Sequence, residues 1–182
     1  IFQTPAGSLN IISKDKPFLK VDDFKGIRIR APGRYDVAAY ETLGAAAVSL
    51  SPEEIYEGLK RGTLAASTHN YSSMLSRGLH EVANNIYVWD LSMVTYPLIV
   101  NYKEYNSLPS EVKEGFDKAA EKFRSQLYEK YSSKKQMVIE SLKNDCDSTL
   151  HQVSKTERMK AREKVKNVYT QWVEDVGTED AE

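Results

Sequence analysis

The residues with the clearest capacity for chemistry lie between Asp23 and Asn70. Ile27-Arg28-Ile29-Arg30 alternates with the period of a strand and is stopped by Pro32-Gly33, after which Tyr35 to Leu43 reads as a helix. A strand ending in arginine, a Pro-Gly turn and a helix start together make an anion site. The helix N-terminus presents unpaired amides and a partial positive charge, and Arg30 offers a planar fork to a carboxylate. Gly33 lets a ligand come close to the backbone, and Arg34 at the same turn either adds a second positive charge or points to solvent. The next junction, Ala66 to Asn70, carries His69 and Asn70 to the equivalent end of a neighbouring strand, where ligands of open parallel sheets sit. Arg30 could instead be neutralised within the fold by Asp23 or Asp36, and the residues alone leave both roles open.

Other chemistries find less support. His69, His80 and His151 are the only histidines, and none has a partner at metal-ligand spacing, so neither a metal nor a cofactor is expected. Asp15, Asp22 and Asp23 lack the spacing of a calcium loop. The alternative reading is a small α/β hydrolase-like enzyme using His69 with the serine-rich loop of Ser67, Ser72 and Ser73. No G-x-S-x-G elbow or positioned acid supports it. Cys146 stands alone, so it forms no internal disulfide, and Asn144, Asp145 and Asp147 around it oppose a reactive thiolate. With 25 basic and 26 acidic side chains the net charge is −1, which argues against a nucleic-acid partner. The one basic cluster, Lys155 to Lys166, includes Glu157 and Glu163 and reads as a solvated helix face.

The elements that must position these residues alternate. Ala46 to Val48 is a short buried strand. Ser51-Pro52-Glu53-Glu54 starts a helix, with Ser51 as cap and Glu54 reaching back, and Gly62 ends it. Thr63 to Ser67 is another strand, followed by a polar segment, and strands return at Asn85 to Trp89 and Tyr96 to Asn101. This order predicts a mainly parallel sheet with helices on both faces, an α/β fold. Val112, Phe116, Ala119, Phe123 and Leu127 then mark a long amphipathic helix starting near Pro109, and Ala161, Val165, Val168 and Trp172 a last helix. Met93 is expected in the core, and no apolar run is long enough to span a membrane.

The string Asp23-Phe24-Lys25-Gly26-Ile27-Arg28-Ile29-Arg30-Ala31-Pro32 closely resembles the D-hydrophobic-K-G-hydrophobic-K/R-hydrophobic-R-x-P motif of DctP-type solute-binding proteins of tripartite ATP-independent periplasmic (TRAP) transporters. Leu43-Gly44-Ala45 matches that family's L-G-A, Glu54 to Leu59 is similar to its E-x-Y-x-A-L, and Arg61-Gly62-Thr63-Leu64 follows like its x-G-x-hydrophobic. Leu98 to Asn101 with Ser107-Leu108-Pro109 resembles its strand and S-L-P helix start, and Tyr169-Thr170-Gln171-Trp172 its closing Y-x-x-W.

The resemblance implies an extracytoplasmic, periplasmic binder of a small organic acid that delivers its ligand to the TRAP membrane permease, and no enzyme. It implies a periplasmic-binding-protein-like lobe with a parallel-rich sheet, a long helix and C-terminal helices. By that match Arg30 bridges the ligand carboxylate, and His69, with Asn70 as the alternative, supplies a polar contact. Asn10 stands where many members have a second binding arginine, and Ala65-Ala66-Ser67-Thr68 replaces their D-G-x-E segment. The expected organisation is a crossover remnant at 1–6, a second ligand-binding lobe from 7–95 and 135–182, and a first-lobe fragment at 96–134 containing the long inter-lobe helix. The signal peptide and most of the N-terminal lobe are expected to lie outside this chain. Phe116, Phe123 and Leu127 would then be uncovered, which favours self-association of this piece.

Overall fold

The computed structural model describes residues 2–177. Its elements in chain order are β1 (Phe2–Ser13), β2 (Arg28–Arg30), α1 (Arg34–Thr42), β3 (Ala46–Val48), α2 (Pro52–Arg61), β4 (Ala66–His69), α3 (Tyr71–Ser76) and β5 (Asn85–Leu98). There follow α4 (Tyr102–Ser107), α5 (Ser110–Asn144), β6 (Thr149–Gln152), α6 (Lys155–Lys164) and α7 (Lys166–Val176). The six strands form one sheet in the order β3-β2-β4-β1-β5-β6. β2 is parallel to β3 and β4, and β5 to β6, while β1 runs antiparallel between β4 and β5. The expected α/β architecture is therefore present, with one reversed strand inside it.

Local chemistry accounts for most boundaries. Glu54 accepts hydrogen bonds from the backbone and hydroxyl of Ser51 at 2.9 and 2.8 Å, closing the start of α2. Gly62, at φ 72°, ends it. Leu64 then folds back, its amide donating to the Gly58 carbonyl at 3.0 Å. That turn consumes Thr63 to Ala65, so the next strand begins at Ala66 and not at Thr63. Consequently His69 lies inside β4, not in a loop after it, and Asn70 caps α3, a helix within the segment expected to be irregular. The two strands expected between Asn85 and Asn101 are one continuous strand, β5. β6 was not expected, and the last helix is two, with Val165 at the junction.

Two apolar layers pack on the sheet. Phe18, Phe24, Ile29, Tyr40, Trp89 and Ala161 belong to one, with Trp89 Nε1 donating to the Phe18 carbonyl at 2.7 Å. Ile12, Ile55, Leu59, Met74, Ile86 and Leu142 belong to the other. Arg158, expected to be solvated, instead reaches Asp90 at 3.2 Å. Met93, expected in the core, is 65% exposed. Among the described residues, every fully buried apolar side chain lies between Leu9 and Trp89 or between Leu142 and Val168.

Beyond that core, β1 and β5 continue as a two-stranded ribbon pairing Phe2 with Leu98 through Leu9 with Ser92. α5, roughly 50 Å long from its 35 residues, runs beside it. Its C-terminal end packs into the second core layer through Leu142, while Phe123 and Tyr128 remain exposed. α4 and α5 leave an open pocket of about 300 Å³ lined by Tyr102, Tyr105 and Phe116. No helix among the described residues is long and apolar enough to cross a membrane.

The ribbon and α5 meet at Gly7. Its φ is 99°, and a Cβ there would fall 1.6 Å from the Tyr131 hydroxyl oxygen. Gly7→Ala is expected to destabilise the fold by about 1–3 kcal/mol, combining backbone strain with displacement of Tyr131. Gly115→Ala, where no heavy atom lies within 4 Å of the added carbon, should instead be neutral or stabilising by up to about 1 kcal/mol. Urea unfolding of both variants checks this.

Candidate functional site: an arginine without a carboxylate at the strand ends

β2, β3 and β4 all end at the same edge of the sheet, at Arg30, Val48 and His69. Arg30 is partly buried, and its Nη1 donates to the Thr68 carbonyl at 3.3 Å. Thr68 returns its hydroxyl to the Arg30 carbonyl at 3.2 Å, so the two strand ends hold each other. Arg30 Nε is buried without a partner, and among the described residues no carboxylate lies within salt-bridge distance of the guanidinium. The two internal partners open to it behave differently. Asp23 is taken by the amides of Leu19 and Lys20, both at 2.8 Å. Asp36 faces Arg30 electrostatically without forming an ion pair. Burial raises the Asp36 carboxyl above the usual range, and the Ser92 hydroxyl, Arg30 and the Gly33 amide oppose that rise. Burial lowers the Arg30 pKa first, then the charge of Arg77 lowers it further, while Asp36 pulls it back.

Gly33 caps α1 at φ −136° and ψ 169°, an extended conformation open to any residue. Its amide is engaged by Asp36, so the helix start expected to receive a ligand anion is partly served by the chain's own carboxyl. Arg34 turns outward. Its Nη2 pairs with Asp175 of α7 at 2.7 Å and with the Tyr35 hydroxyl, and its guanidinium lies 4.5 Å over the Tyr35 ring. Of the two roles open to Arg34 in the sequence, the structure places it on the surface, tying α1 to α7.

Asn10 and His69 face each other across β1 and β4, and Arg30 and Ser67 across β2 and β4. Strand alternation puts Ser67 and His69 on one face, so the four side chains form a row across three strands. His69 is 5% exposed, with Nε2 2.9 Å from the Ser67 hydroxyl. Asn10 is fully buried. Its Oδ1 accepts from the amides of Trp89 at 3.1 Å and Asp90 at 3.3 Å, and its Nδ2 is buried without a partner. Those bonds bracket a bulge in which Asp90 takes φ 49°. Asn70 accepts from the Ser73 amide at 2.8 Å and so fixes the start of α3. Ser67 was singled out in the sequence only as a partner of His69 in the hydrolase-like alternative, and Arg77, at the end of α3, was missed and had no signal.

The Ser67–His69 contact has the outline of a nucleophile and its base, but the electrostatics oppose that chemistry. Burial, then Arg30 and Arg77, hold the His69 pKa down to about 3. A general base must accept the serine proton near neutral pH, and an imidazolium here would form beside two cations. Among the described residues no group of acidic, histidine or cysteine side chains could hold a metal.

A mostly parallel α/β sheet with one reversed strand, flanked by helices and carrying a partly buried arginine at its carboxyl edge, has the fold of a periplasmic-binding-protein-like lobe. The profile of the bacterial extracellular solute-binding proteins, family 7 (DctP), matches residues 2–175, and the chain belongs to that family. It is 24% identical over 170 residues to the C4-dicarboxylate-binding periplasmic protein DctP of Rhodobacter capsulatus, covering 93% of this chain and 51% of that protein. A TRAP periplasmic solute-binding protein of Chromohalobacter salexigens DSM 3043 superposes with a TM-score of 0.87 at 21% identity, over 96% of this chain and 57% of that one. One from Shewanella oneidensis gives 0.86 at 18%, over 98% and 59%. The chain thus spans about half the length of these relatives.

Because His69 is held neutral when folded and titrates at about 6.5 when unfolded, the unfolded chain binds the extra proton as pH falls below 6.5. Stability is thereby lost progressively between pH 6.5 and about 3. Between pH 7 and pH 5 this residue should cost about 2 kcal/mol of unfolding free energy, and His69→Gln should remove that part of the slope. Urea titrations at the two pH values, together with an invariant His69 ring NMR signal from pH 5 to 8, check it.

Proposed function

We propose that this chain is the main ligand-holding part of a periplasmic protein that captures a small organic carboxylate and delivers it to a TRAP membrane permease. The observation that carries the reading is Arg30, a charged group at the strand ends that lacks a carboxylate partner among the described residues. A ligand carboxylate in a bidentate contact supplies the missing counter-charge. The relatives agree in chemistry: the Chromohalobacter protein holds D-glucuronate and the Shewanella protein succinate. His69, Asn10 and Asn70 line the neutral side of the site, Gly33 keeps its approach open, and Arg34 takes no part.

In this reading residues 7–95 and 135–182 form one ligand-binding lobe, of which 178–182 lie outside the described residues. Residues 96–134 are a piece of the opposite lobe, reached through the β1–β5 ribbon and α5. The residues at 1–6 begin the crossover; their side chains lie outside the described set. The protein works by binding and release, without catalysis. The exposed Phe123, Tyr128 and Ile99 favour association of this piece with itself when nothing else covers them.

In the full-length protein, Arg30→Ala is expected to weaken carboxylate binding by about 2–5 kcal/mol, the range for losing one side of a desolvated charge pair. Arg34→Ala should change affinity by less than about 0.5 kcal/mol. Titration calorimetry checks both, and an unchanged affinity for Arg30→Ala would remove the assignment.

A further inference from the structure

The row of side chains that continues from Arg30 across β4 to β1 is uncharged, and that constrains the rest of the ligand. Ser67 and Asn10 are fully buried and His69 is 5% exposed. By register they continue the row from Arg30 across β4 to β1. They offer a hydroxyl bonded to an imidazole at 2.9 Å and a carboxamide whose Nδ2 is buried without a partner. Two further charged groups face this row. Asp36 opposes Arg30 from the start of α1, and Arg77 acts from the exposed end of α3.

We propose that this row selects a monocarboxylate bearing uncharged hydrogen-bonding oxygens, hydroxyl or carbonyl, over a dicarboxylate. The proposal rests on the carboxylate reading of Arg30 given above. A second carboxylate laid along Ser67, His69 and Asn10 would lose its hydration and meet no counter-charge there. A hydroxyl can donate and accept at once. It therefore suits the remaining ring nitrogen of a neutral imidazole, whether that nitrogen donates or accepts, and it accepts from a carboxamide NH₂. Arg77 lies where water screens it, so it tunes the field of the site without providing a second dry anion pocket.

Three probes test this by calorimetry on the full-length protein: butyrate, a bare monocarboxylate; D-gluconate, a polyhydroxy monocarboxylate; and succinate, a dicarboxylate. Gluconate is expected to bind at least about tenfold more tightly than either of the others. Ser67→Ala and His69→Gln should each reduce gluconate affinity and leave succinate affinity unchanged. Arg77→Gln should leave the ranking intact. Succinate binding as tightly as gluconate, or a loss confined to succinate in Arg77→Gln, overturns the selectivity. If Arg30→Ala still abolishes binding in that case, the carboxylate reading stands without it. Binding that is insensitive to Arg30→Ala, or no binding of any probe, overturns both. A circular dichroism spectrum like that of the wild type, recorded for each variant, separates lost contacts from lost folding.

Discussion

A guanidinium keeps its proton in a protein, so drawing one partly out of water forces the surroundings to provide charge or acceptors. Arg30 receives little of either. One carbonyl, that of Thr68, lies within reach at 3.3 Å, Asp36 acts only through its field, and Nε has no acceptor. The neighbours show the consequence. His69 is kept from charging by its burial and then by the same cation, and Asp36 remains a reluctant acid because burial outweighs the pull of Arg30. A site in this condition holds its cation at some cost to the fold, and in the proposed function an incoming anion offsets that cost.

The rest of the architecture serves to keep that cation in place. Arg30 and Thr68 exchange side-chain-to-carbonyl bonds, so the edge where β2 and β4 end cannot separate without losing both. β1 runs against the direction of its neighbours and brings Asn10 opposite His69. Its carboxamide takes the amides of Trp89 and Asp90, stabilising a bulge at which Asp90 adopts a left-handed backbone. Arg158 and Arg162 hold that residue from α6, through its carboxylate and its carbonyl. The ribbon leaving this bulge and the long α5 beside it approach closely at Gly7, over which Tyr131 lies.

How far this was legible in the sequence follows from where the signals are local. The strand Arg28–Arg30, the Pro-Gly turn, the Ser51 cap and the Gly62 stop are written in neighbouring residues, and each lies where the sequence puts it. β1 was missed because Pro5, Gly7 and Asn10 interrupt its alternation; bulges that only its partner strand explains absorb those interruptions. β4 shifted because the fold-back of Leu64 onto Gly58 is a packing event with no residue pattern of its own. Met93 read as core since methionine usually is, yet it lies on the ribbon beyond the buried layers. Arg30 itself was legible, and its state was not: whether Asp23 or Asp36 neutralised it depended on the capture of Asp23 by the amides of Leu19 and Lys20.

The same electrostatics that oppose catalysis favour capture. A hydrolase needs His69 to accept a proton as the reaction proceeds, and each step toward an imidazolium brings a third positive charge beside Arg30 and Arg77. In the proposed function, binding an anion asks for the opposite change: it lowers the repulsion between the two arginines and gives the Arg30 guanidinium a counter-charge while His69 stays neutral. Only interactions that differ between the empty and the filled site can drive a closing motion. For the proposed function Arg30 provides such a difference, because a ligand carboxylate supplies the partner it lacks among the described residues. In the proposed function, the stronger that pairing becomes as water is excluded, the more the filled state favours a closed arrangement around the ligand. Loose anchoring of Arg30 would weaken this, since part of the gain would go to ordering the side chain. The Thr68 carbonyl and the partly buried strand end hold the guanidinium in place before the ligand arrives.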